Sequence, residues 1–207
     1  MVPSGLLLAA GASVRFGGAK LLAPVAGEPL VRRSARVLLE GGVADLVVVT
    51  GARPDEVAAA LDGLGVRVVC NRSWAAGMFS SVRAGLAAIL PGEGPVAISP
   101  ADLPALEAPD VRRLLEEGGR IEADHPGTIV VPSCGGRRGH PLLLPRRAAE
   151  AVALWDDSAR LDAVLGDGRW GVHHLEGFAP GILRDADTPG DLALLAGTAR
   201  SRASGVP

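Results

Sequence analysis

The 207-residue chain is long enough for one globular domain and carries a formal net charge of −2. A near-neutral balance excludes a broadly basic nucleic-acid surface, so we expect no nucleic-acid partner. The chain lacks a bilayer-length apolar run and a signal-peptide pattern, so we expect a cytoplasmic protein with no membrane partner. Its two cysteines, Cys70 and Cys134, lie too far apart for a CxxC motif, which argues against a zinc site or a disulfide framework.

Apolar runs alternate with amphipathic stretches along the chain, in the order strand, helix, strand, helix. Predicted strands cover residues 5–10, 45–50, 66–70, 95–99, 128–132, 172–175 and 182–185, with an extended segment at 140–144. Predicted helices cover residues 29–40, 54–61, 80–90, 109–117, 146–154, 160–165 and 189–195. This order predicts a three-layer, Rossmann-like α/β fold, in which a mostly parallel sheet carries helices on both faces. We expect one domain over residues 1–196 and a disordered tail over residues 197–207.

A glycine-rich loop, LAAGASVRFGGAK at residues 8–20, follows the first predicted strand. Ligands bind beyond the carboxyl ends of the strands in sheets of this kind. The glycines let backbone amides approach phosphate oxygens, while Arg15 can bind them in bidentate fashion and Lys20 adds a point charge. The spacing fits neither the GxGxxG dinucleotide motif nor a Walker A loop. The loop therefore predicts a polyphosphate site, with a flexible loop and incidental cations as the alternative.

The segment LAAGASVRFGGAKLL, followed by GEPL at residues 27–30, resembles the signature of sugar-phosphate-type and molybdenum cofactor nucleotidyltransferases. The form found here is most similar to that of molybdenum cofactor cytidylyltransferases. Their fold is of the nucleotide-diphospho-sugar transferase type, and their loop wraps the triphosphate. The resemblance implies catalytic roles for Arg15 and Lys20, and nucleotide binding by the loop residues Ala9, Ala10, Gly11, Arg15 and Lys20.

One carboxylate, Asp102, follows the strand predicted at 95–99, within the sequence SPADLP. A lone aspartate in a loop is often a turn residue or a helix cap. Nucleotidyl transfer, however, needs a divalent cation to offset phosphate charge, and Mg²⁺ prefers one or two protein carboxylates. The family carries Asp-Met-Pro or Asp-Leu-Pro here, so the resemblance implies that Asp102 is a catalytic, nucleotide-binding metal ligand. Pro100 departs from the glycine that is common in the family two residues before the aspartate.

A second carboxylate lies in RDADTPGDL at residues 184–192, which resembles the family's Asp-x-Asp-Thr-Pro-x-Asp-Leu segment. The resemblance favours Asp187 over Asp185 as the second metal ligand. It implies Mg²⁺ as the cofactor, with Mn²⁺ as the alternative. Asp187 or Thr188 could instead cap the helix that Pro189 begins.

The segment GMFSSVRAG at residues 77–85 follows the third predicted strand and resembles the family's Gly-x-x-Ser-Ser-x-x-x-Gly motif. The resemblance implies nucleotide binding by Gly77, Ser80 and Ser81. We place both serines at a helix start, where amides and hydroxyls can contact a base or a ribose. Ordinary helix capping is the alternative role for them.

The turn-rich segment GGRRGHP at residues 135–141 resembles the cytidylyltransferase Gly-x-x-Gly-His-Pro motif on the acceptor side of the cleft. The resemblance implies acceptor binding by Arg137, Gly139 and His140. His140 could be a general base, although a histidine before a proline is more often structural.

Together these resemblances imply a nucleotidyltransferase that transfers CMP from CTP to the phosphate of molybdopterin and releases pyrophosphate, with a molybdoenzyme as recipient of the product. A phosphate monoester is already largely ionised at neutral pH, so positioning and charge neutralisation would carry the catalysis. The alternatives are guanylyl transfer to the same cofactor, nucleotidyl transfer to a sugar or polyol phosphate, and a non-catalytic nucleotide-binding protein that delivers the cofactor. No residue prefers cytosine over guanine on physical grounds, so CTP rests on resemblance alone.

Overall fold

The computed structural model describes residues 2–90, 92–156, 158–186, 188 and 190–192. Its strands are β1 (Ser4–Ala9), β2 (Pro24–Val25), β3 (Glu28–Pro29), β4 (Asp45–Thr50), β5 (Arg67–Cys70), β6 (Val96–Pro100), β7 (Thr128–Cys134), β8 (Arg137–Arg138), β9 (Leu142–Leu144) and β10 (Gly171–Leu175). Its α-helices are α1 (Leu30–Glu40), α2 (Pro54–Ala60), α3 (Met78–Ile89), α4 (Ala108–Asp124) and α5 (Arg146–Ala153).

The main sheet has the strand order β10-β7-β9-β6-β1-β4-β5, with β8 paired to β7 outside this path. All neighbours on the path pair in parallel except β9, which runs antiparallel to β6 and to β7. Two apolar clusters cover the sheet, one beneath α1, α2 and α4 and the other beneath α3 and α5. This arrangement confirms the predicted three-layer α/β fold, because strands that are apolar on both faces need a helical layer on each side.

The central strand β1 places its carboxyl end next to those of β4 and β6. Since β9 runs antiparallel, the residues just before it, His140 and Pro141, reach the same edge of the sheet. The glycine-rich loop after β1, the segment with Asp102 after β6 and the segment before β9 therefore meet at one edge. This convergence is the property of the fold that builds the candidate site.

The prediction of a strand at residues 182–185 is wrong. A short 3-10 helix occupies Pro180–Leu183 instead. Gly181 packs so closely on the main chain of Ala105 that an added Cβ would lie 2.1 Å from the Ala105 carbonyl oxygen. Ile182 is fully buried, and its carbonyl accepts a hydrogen bond from the amide of His140. The apolar pair Ile-Leu resembles a strand in sequence, yet its burial is achieved by packing rather than by sheet pairing.

Other predicted elements differ in their bounds. Helix α3 begins at Met78, two residues before the predicted start. Helix α4 continues through Gly118 to Asp124, because that glycine lets the helix approach Leu143, whose Cδ2 atom would lie 2.4 Å from an added Cβ. The segment Leu161–Gly166 forms a 3-10 helix rather than an α-helix. Most of the helix predicted at 189–195, and the tail at 197–207, lie outside the described residues. Among the helices that are described, none has the length and apolarity to span a bilayer.

Candidate active site

A cavity of about 510 Å³ opens at the carboxyl edge of the sheet, and we call it the first cavity. It is bordered by the glycine-rich loop on one side and by the start of α3 on the other. Its lining residues are Leu8, Ala10, Gly11, Ser13, Val14, Arg15, Phe16, Lys20, Leu21, Trp74, Ala75, Met78, Ser81, Pro100, Asp102 and Asp185. A volume of this size accommodates a small-molecule ligand, and a lining that combines charged groups with apolar surface suits a nucleotide.

The glycine-rich loop folds back on itself over the first cavity. Ser13, Gly17 and Gly18 have positive φ angles of 53°, 79° and 144°, and the amide of Gly18 donates to the carbonyl of Ser13. Glycine suits the left-handed turn after the 3-10 helix Val14–Phe16, which explains the paired glycines at this point. Arg15 and Lys20 of this loop both line the cavity. Of the other predicted loop residues, Ala10 and Gly11 line the cavity, whereas Ala9 belongs to the buried core.

Lys20 and Asp102 form an ion pair inside the first cavity, with 2.7 Å between Lys20 Nζ and Asp102 Oδ2. The exposed fractions of the two side chains are 9% and 25%. An ammonium group with so little access to water needs a nearby anion, because desolvation of an unpaired charge is costly. A bound phosphate could share that cation and leave Asp102 available to a metal ion. The pair thus holds both charges in place before a ligand arrives.

The main chain on both sides of Asp102 is fixed by hydrogen bonds. The amide of Ala101 donates to Leu8 O at 3.1 Å, and Ser34 Oγ in α1 donates to Ala101 O at 2.9 Å. The amide of Ala186 donates to Asp102 O at 3.1 Å. This last bond ties the second aspartate-containing segment to the first, so the two segments converge as the sequence suggested. Asp187 itself lies outside the described residues, while Asp185 lines the cavity.

The donor set around Asp102 fits a hard divalent cation. Asp102 and Asp185 contribute carboxylate oxygens to the first cavity. The described part of the chain contains no cluster of three or more His, Cys, Asp or Glu side chains that could enclose a metal ion. Mg²⁺ does not require one, since it keeps water and phosphate oxygens in its octahedron. These residues could therefore hold Mg²⁺ together with a nucleotide.

Asn71 organises the start of α3, a role that the sequence reasoning missed. It is buried, and its Nδ2 donates to Ser80 Oγ at 2.9 Å and to Ser81 Oγ at 3.0 Å. Its Oδ1 accepts a hydrogen bond from the amide of Ser73. The sequence signal for this role was a polar residue directly after the apolar strand β5, at the carboxyl edge of the sheet.

The two predicted serines differ in position. Ser81 lines the first cavity, whereas Ser80 is buried and donates to the carbonyls of Ser73 and Gly77. Ser80 occupies the third position of α3 rather than a free helix end, because the helix begins at Met78. Its hydroxyl is already engaged within the protein, but it donates to carbonyls and does not cap the helix, since Gly77 is the N-cap residue and no side chain caps this end. Gly77 lines a neighbouring cavity instead of the first.

A second cavity of about 460 Å³ adjoins the first, and both are bordered by Met78. Its other lining residues are Ala76, Gly77, Phe79, His140, Leu142, Ser158, Ala159, Arg160, Leu161 and Asp162. His140 is brought here by the antiparallel course of β9. The Nδ1 atom of His140 is buried and has no hydrogen-bond partner among the described residues.

The other two predicted acceptor residues lie apart from this cavity. Gly139 has a packing role, because an added Cβ would lie 2.7 Å from Ile182 O. Arg137 is exposed on β8 and borders neither cavity. Of the three residues, the structure therefore brings only His140 to the cavity wall.

Gly51 supports the first cavity from beneath. A Cβ at this position would lie 2.6 Å from Ala10 O and 2.7 Å from Trp74 Cβ. Gly51→Ala should therefore displace two cavity residues, lower the unfolding free energy by about 1–3 kcal/mol and weaken ligand binding. Urea unfolding and nucleotide titration check this. Gly63→Ala is a control for stability alone, since a Cβ added there meets no atom within 4 Å but the φ of +77° strains the backbone. Loss of stability without loss of binding in Gly51→Ala would contradict the supporting role.

His140 should make the fold sensitive to acid. Burial lowers the pKa of His140 below its ordinary value of 6.5, while Asp102 and Asp185 partly oppose that shift. The folded state therefore favours the neutral ring. The contribution of this group to the free energy of unfolding is fully present above pH 6.5 and is lost as the pH falls toward the folded-state pKa. Between pH 8 and pH 5, urea unfolding should show that the free energy of unfolding falls less for His140→Gln than for the unaltered chain. The same dependence of the unfolding free energy on pH in both proteins would contradict this expectation.

The comparisons with known proteins agree with this geometry. Residues 5–174 match the family model described as the MobA-like NTP transferase domain. A nicotine blue oxidoreductase of Paenarthrobacter nicotinovorans is 37% identical over 153 residues, covering 72% of this chain and 74% of that protein. A probable molybdenum cofactor guanylyltransferase of Opitutus terrae is 35% identical over 119 residues, covering 56% of each chain.

A solved structure of similar fold is a nucleotidyl transferase from Methanothermobacter thermautotroptrophicus. It superposes with a TM-score of 0.79 at 25% identity, covering 97% of this chain and 99% of the other. The family resemblance inferred from the glycine-rich loop is therefore confirmed, since the family match includes that loop and Asp102. The chain belongs to the MobA-like NTP transferase domain family.

Proposed function

We propose that this protein transfers a nucleotide from a nucleoside triphosphate to the phosphate of molybdopterin and releases pyrophosphate, with CTP as the favoured donor. The observation that carries this proposal is the partly buried Lys20–Asp102 pair at the wall of the first cavity, beneath the glycine-rich loop. A cation for the phosphates and a carboxylate for a metal ion lie side by side there. Positioning and charge neutralisation of this kind would support in-line attack on an α-phosphorus.

The triphosphate would lie along the glycine-rich loop, with Arg15 and Lys20 on its oxygens. Asp102, together with Asp187, would hold Mg²⁺, or Mn²⁺ in its place. The metal ion would supply charge neutralisation on the α-phosphate and on the departing pyrophosphate. Trp74 and Ser81 also line the first cavity, and their apolar surface and hydroxyl would suit a base and a ribose.

The second cavity supports a site for the acceptor. It meets the first cavity at Met78, so an acceptor placed in it could direct a phosphate oxygen toward the nucleotide. His140 and Arg160 offer polar contacts, while Phe79 and Leu161 offer apolar walls for a planar ring. We assign His140 to positioning of the acceptor, because an ionised acceptor phosphate needs little help from a base.

The test is pyrophosphate release by the purified protein with Mg²⁺, molybdopterin and each of the four nucleoside triphosphates in turn. We expect release with CTP to exceed release with GTP, and no release in the presence of a metal chelator. A preference for GTP would make the protein a guanylyltransferase, like the Opitutus relative by its name. A sugar phosphate and a polyol phosphate serve as alternative acceptors. Tight triphosphate binding without release would favour a delivery protein, and no release with any triphosphate would overturn the transferase proposal.

A redox reaction is the second candidate, favoured by the name of the relative that is 37% identical to this chain. A dinucleotide electron donor also carries phosphates, which could bind at the same loop. Such a reaction needs no divalent metal ion and releases no pyrophosphate. Oxidation of a reduced nicotinamide dinucleotide by a quinonoid dye, measured with and without chelator, separates the two candidates.

A further inference from the structure

A third cavity, of about 500 Å³, lies at the opposite edge of the sheet from the candidate active site. Pro95 precedes β6, Thr128 begins β7, Trp170 precedes β10 and Pro145 follows β9, so the lining belongs to the edge where β6, β7 and β10 begin. The five residues of β6 separate this cavity from Asp102 by about 16 Å. A ligand here would therefore leave the first cavity open.

The lining of the third cavity has an excess of positive charge. Arg146, Arg147 and Arg169 border it, against one carboxylate, that of Glu122. The Glu122 carboxylate already accepts hydrogen bonds from loop amides, including that of Thr128 at 3.1 Å. Such a set of guanidinium groups favours a phosphate or another oxyanion.

The three arginines are held differently. Arg146 is fixed at the wall, with Nε donating to Gly94 O at 2.8 Å and Nη2 donating to Glu93 O at 2.7 Å. Its Nη1 is buried and has no hydrogen-bond partner within the described ranges. Arg169 is paired with Asp167, which neutralises it locally, and Arg147 is exposed on the first turn of α5. Glu150 and Asp45 lie near enough to Arg146 to offset part of its charge, and Arg146 and Arg147 supply the positive charge of the wall that is not already engaged by Asp167.

The remaining walls are apolar and include an indole. Pro95, Pro126, Val130, Leu143 and Pro145 contribute apolar surface to the third cavity. The Trp170 ring lies beside them, with the Arg169 guanidinium 6.0 Å from the ring centroid. Trp170 Nε1 is buried and lacks a hydrogen-bond partner in the described part of the chain. Because that atom has no access to solvent, the ligand would meet the apolar surface of the indole rather than its N–H. An indole surface next to apolar walls and guanidinium groups suits a ligand with a planar ring and an acidic group.

We propose that the third cavity binds a small organic phosphate that carries a planar ring, of the nucleoside monophosphate class. The phosphate lies at Arg146 and Arg147, and the ring lies against Trp170 and the proline-rich wall. The site goes beyond the proposed transfer reaction, and its lining shares no residue with that of the first cavity. The volume of about 500 Å³ is within the range of small-molecule sites.

The test uses Trp170 as a local reporter. The sequence contains three tryptophans, so Trp74→Phe with Trp155→Phe leaves Trp170 alone. In this protein, titration with CMP, GMP, AMP or UMP should change the Trp170 emission in a saturable way, while equilibrium dialysis measures the bound monophosphate. Inorganic phosphate should bind at least about tenfold more weakly, since it lacks the ring. Circular dichroism verifies that each variant is folded.

Three further variants identify the site. Arg147→Ala should raise the Kd about tenfold, as expected for loss of one charge-assisted contact. Arg120→Ala, an equal charge change at an exposed position of α4 outside the cavity, should leave the Kd unchanged. Lys20→Ala, in the first cavity, should leave the Trp170 titration unchanged. The proposal is overturned if the unaltered chain binds no more monophosphate in dialysis than Arg147→Ala does, or if inorganic phosphate binds as tightly as the monophosphates.

Discussion

Asp102→Asn is expected to lower nucleotidyl transfer by at least about 10³-fold, because the amide cannot replace a carboxylate as a metal ligand or offset the phosphate charges. The same change removes the counter-charge of Lys20, whose side chain is only 9% exposed. The unfolding free energy should therefore also fall, by about 1–3 kcal/mol. Single-turnover pyrophosphate release and urea unfolding measure the two effects on the same sample.

Asp185→Asn is the matched control for that experiment, since Asp185 lines the same cavity and the substitution is identical. Its effect on turnover should be below about tenfold, because we assign the metal to Asp102 and Asp187. Retained turnover in Asp102→Asn would refute its role as metal ligand. An equal loss in both variants would show that the metal is shared by Asp102 and Asp185 instead.

Lys20→Ala is expected to lower kcat/KM by about 10²–10³-fold, as found when one preorganised electrostatic contact to a reacting group is removed. Lys20 is the only lysine in the chain, and the other positive side chains are arginines. A compact ammonium group reaches Asp102 within the buried space beneath the loop, at 2.7 Å. Steady-state kinetics over a range of triphosphate concentrations separate the loss of binding from the loss of turnover.

The stability of Lys20→Ala should fall less than that of Asp102→Asn. Asp102 is 25% exposed and can be hydrated when its partner is absent, whereas the lysine cannot. Lys20→Arg keeps the charge and is the control for geometry. It should recover stability more fully than turnover, because a planar guanidinium does not occupy the position of an ammonium. Equal turnover in Lys20→Arg and the unaltered chain would show that charge alone is required.

Much of the candidate active site could be predicted from the sequence, because the sequence features that indicate it are local. The apolar strands β1, β4 and β6 are bounded by glycine, proline and aspartate, and each leads directly into a segment that borders the first cavity or supports it. A glycine-rich loop that must turn sharply reveals itself by its glycines. The parallel arrangement then brings the carboxyl ends of these strands together without further information.

Prediction was poorest where burial comes from packing between distant segments. The run at residues 182–185 has the apolar pattern of a strand, yet Gly181 and Ile182 are buried against Ala105 and Gly139. Ser80 has the sequence position of a nucleotide contact, yet its hydroxyl belongs to the network of Asn71. In both cases the local sequence pattern predicts that a side chain is buried or polar, but it does not predict which residue that side chain contacts.

The sequence by itself determined the fold class, the position of the glycine-rich loop after the first strand and the position of Asp102 after a buried strand, because each depends on residues that are neighbours in the chain. Only the tertiary structure decided that Lys20 pairs with Asp102, 82 positions away, and that His140 reaches the same edge through an antiparallel strand. It alone brought Arg146, Arg147 and Trp170 to one cavity at the other edge. Such contacts arise when separate elements pack on a shared core, and the free energy of that packing is not encoded in any single segment.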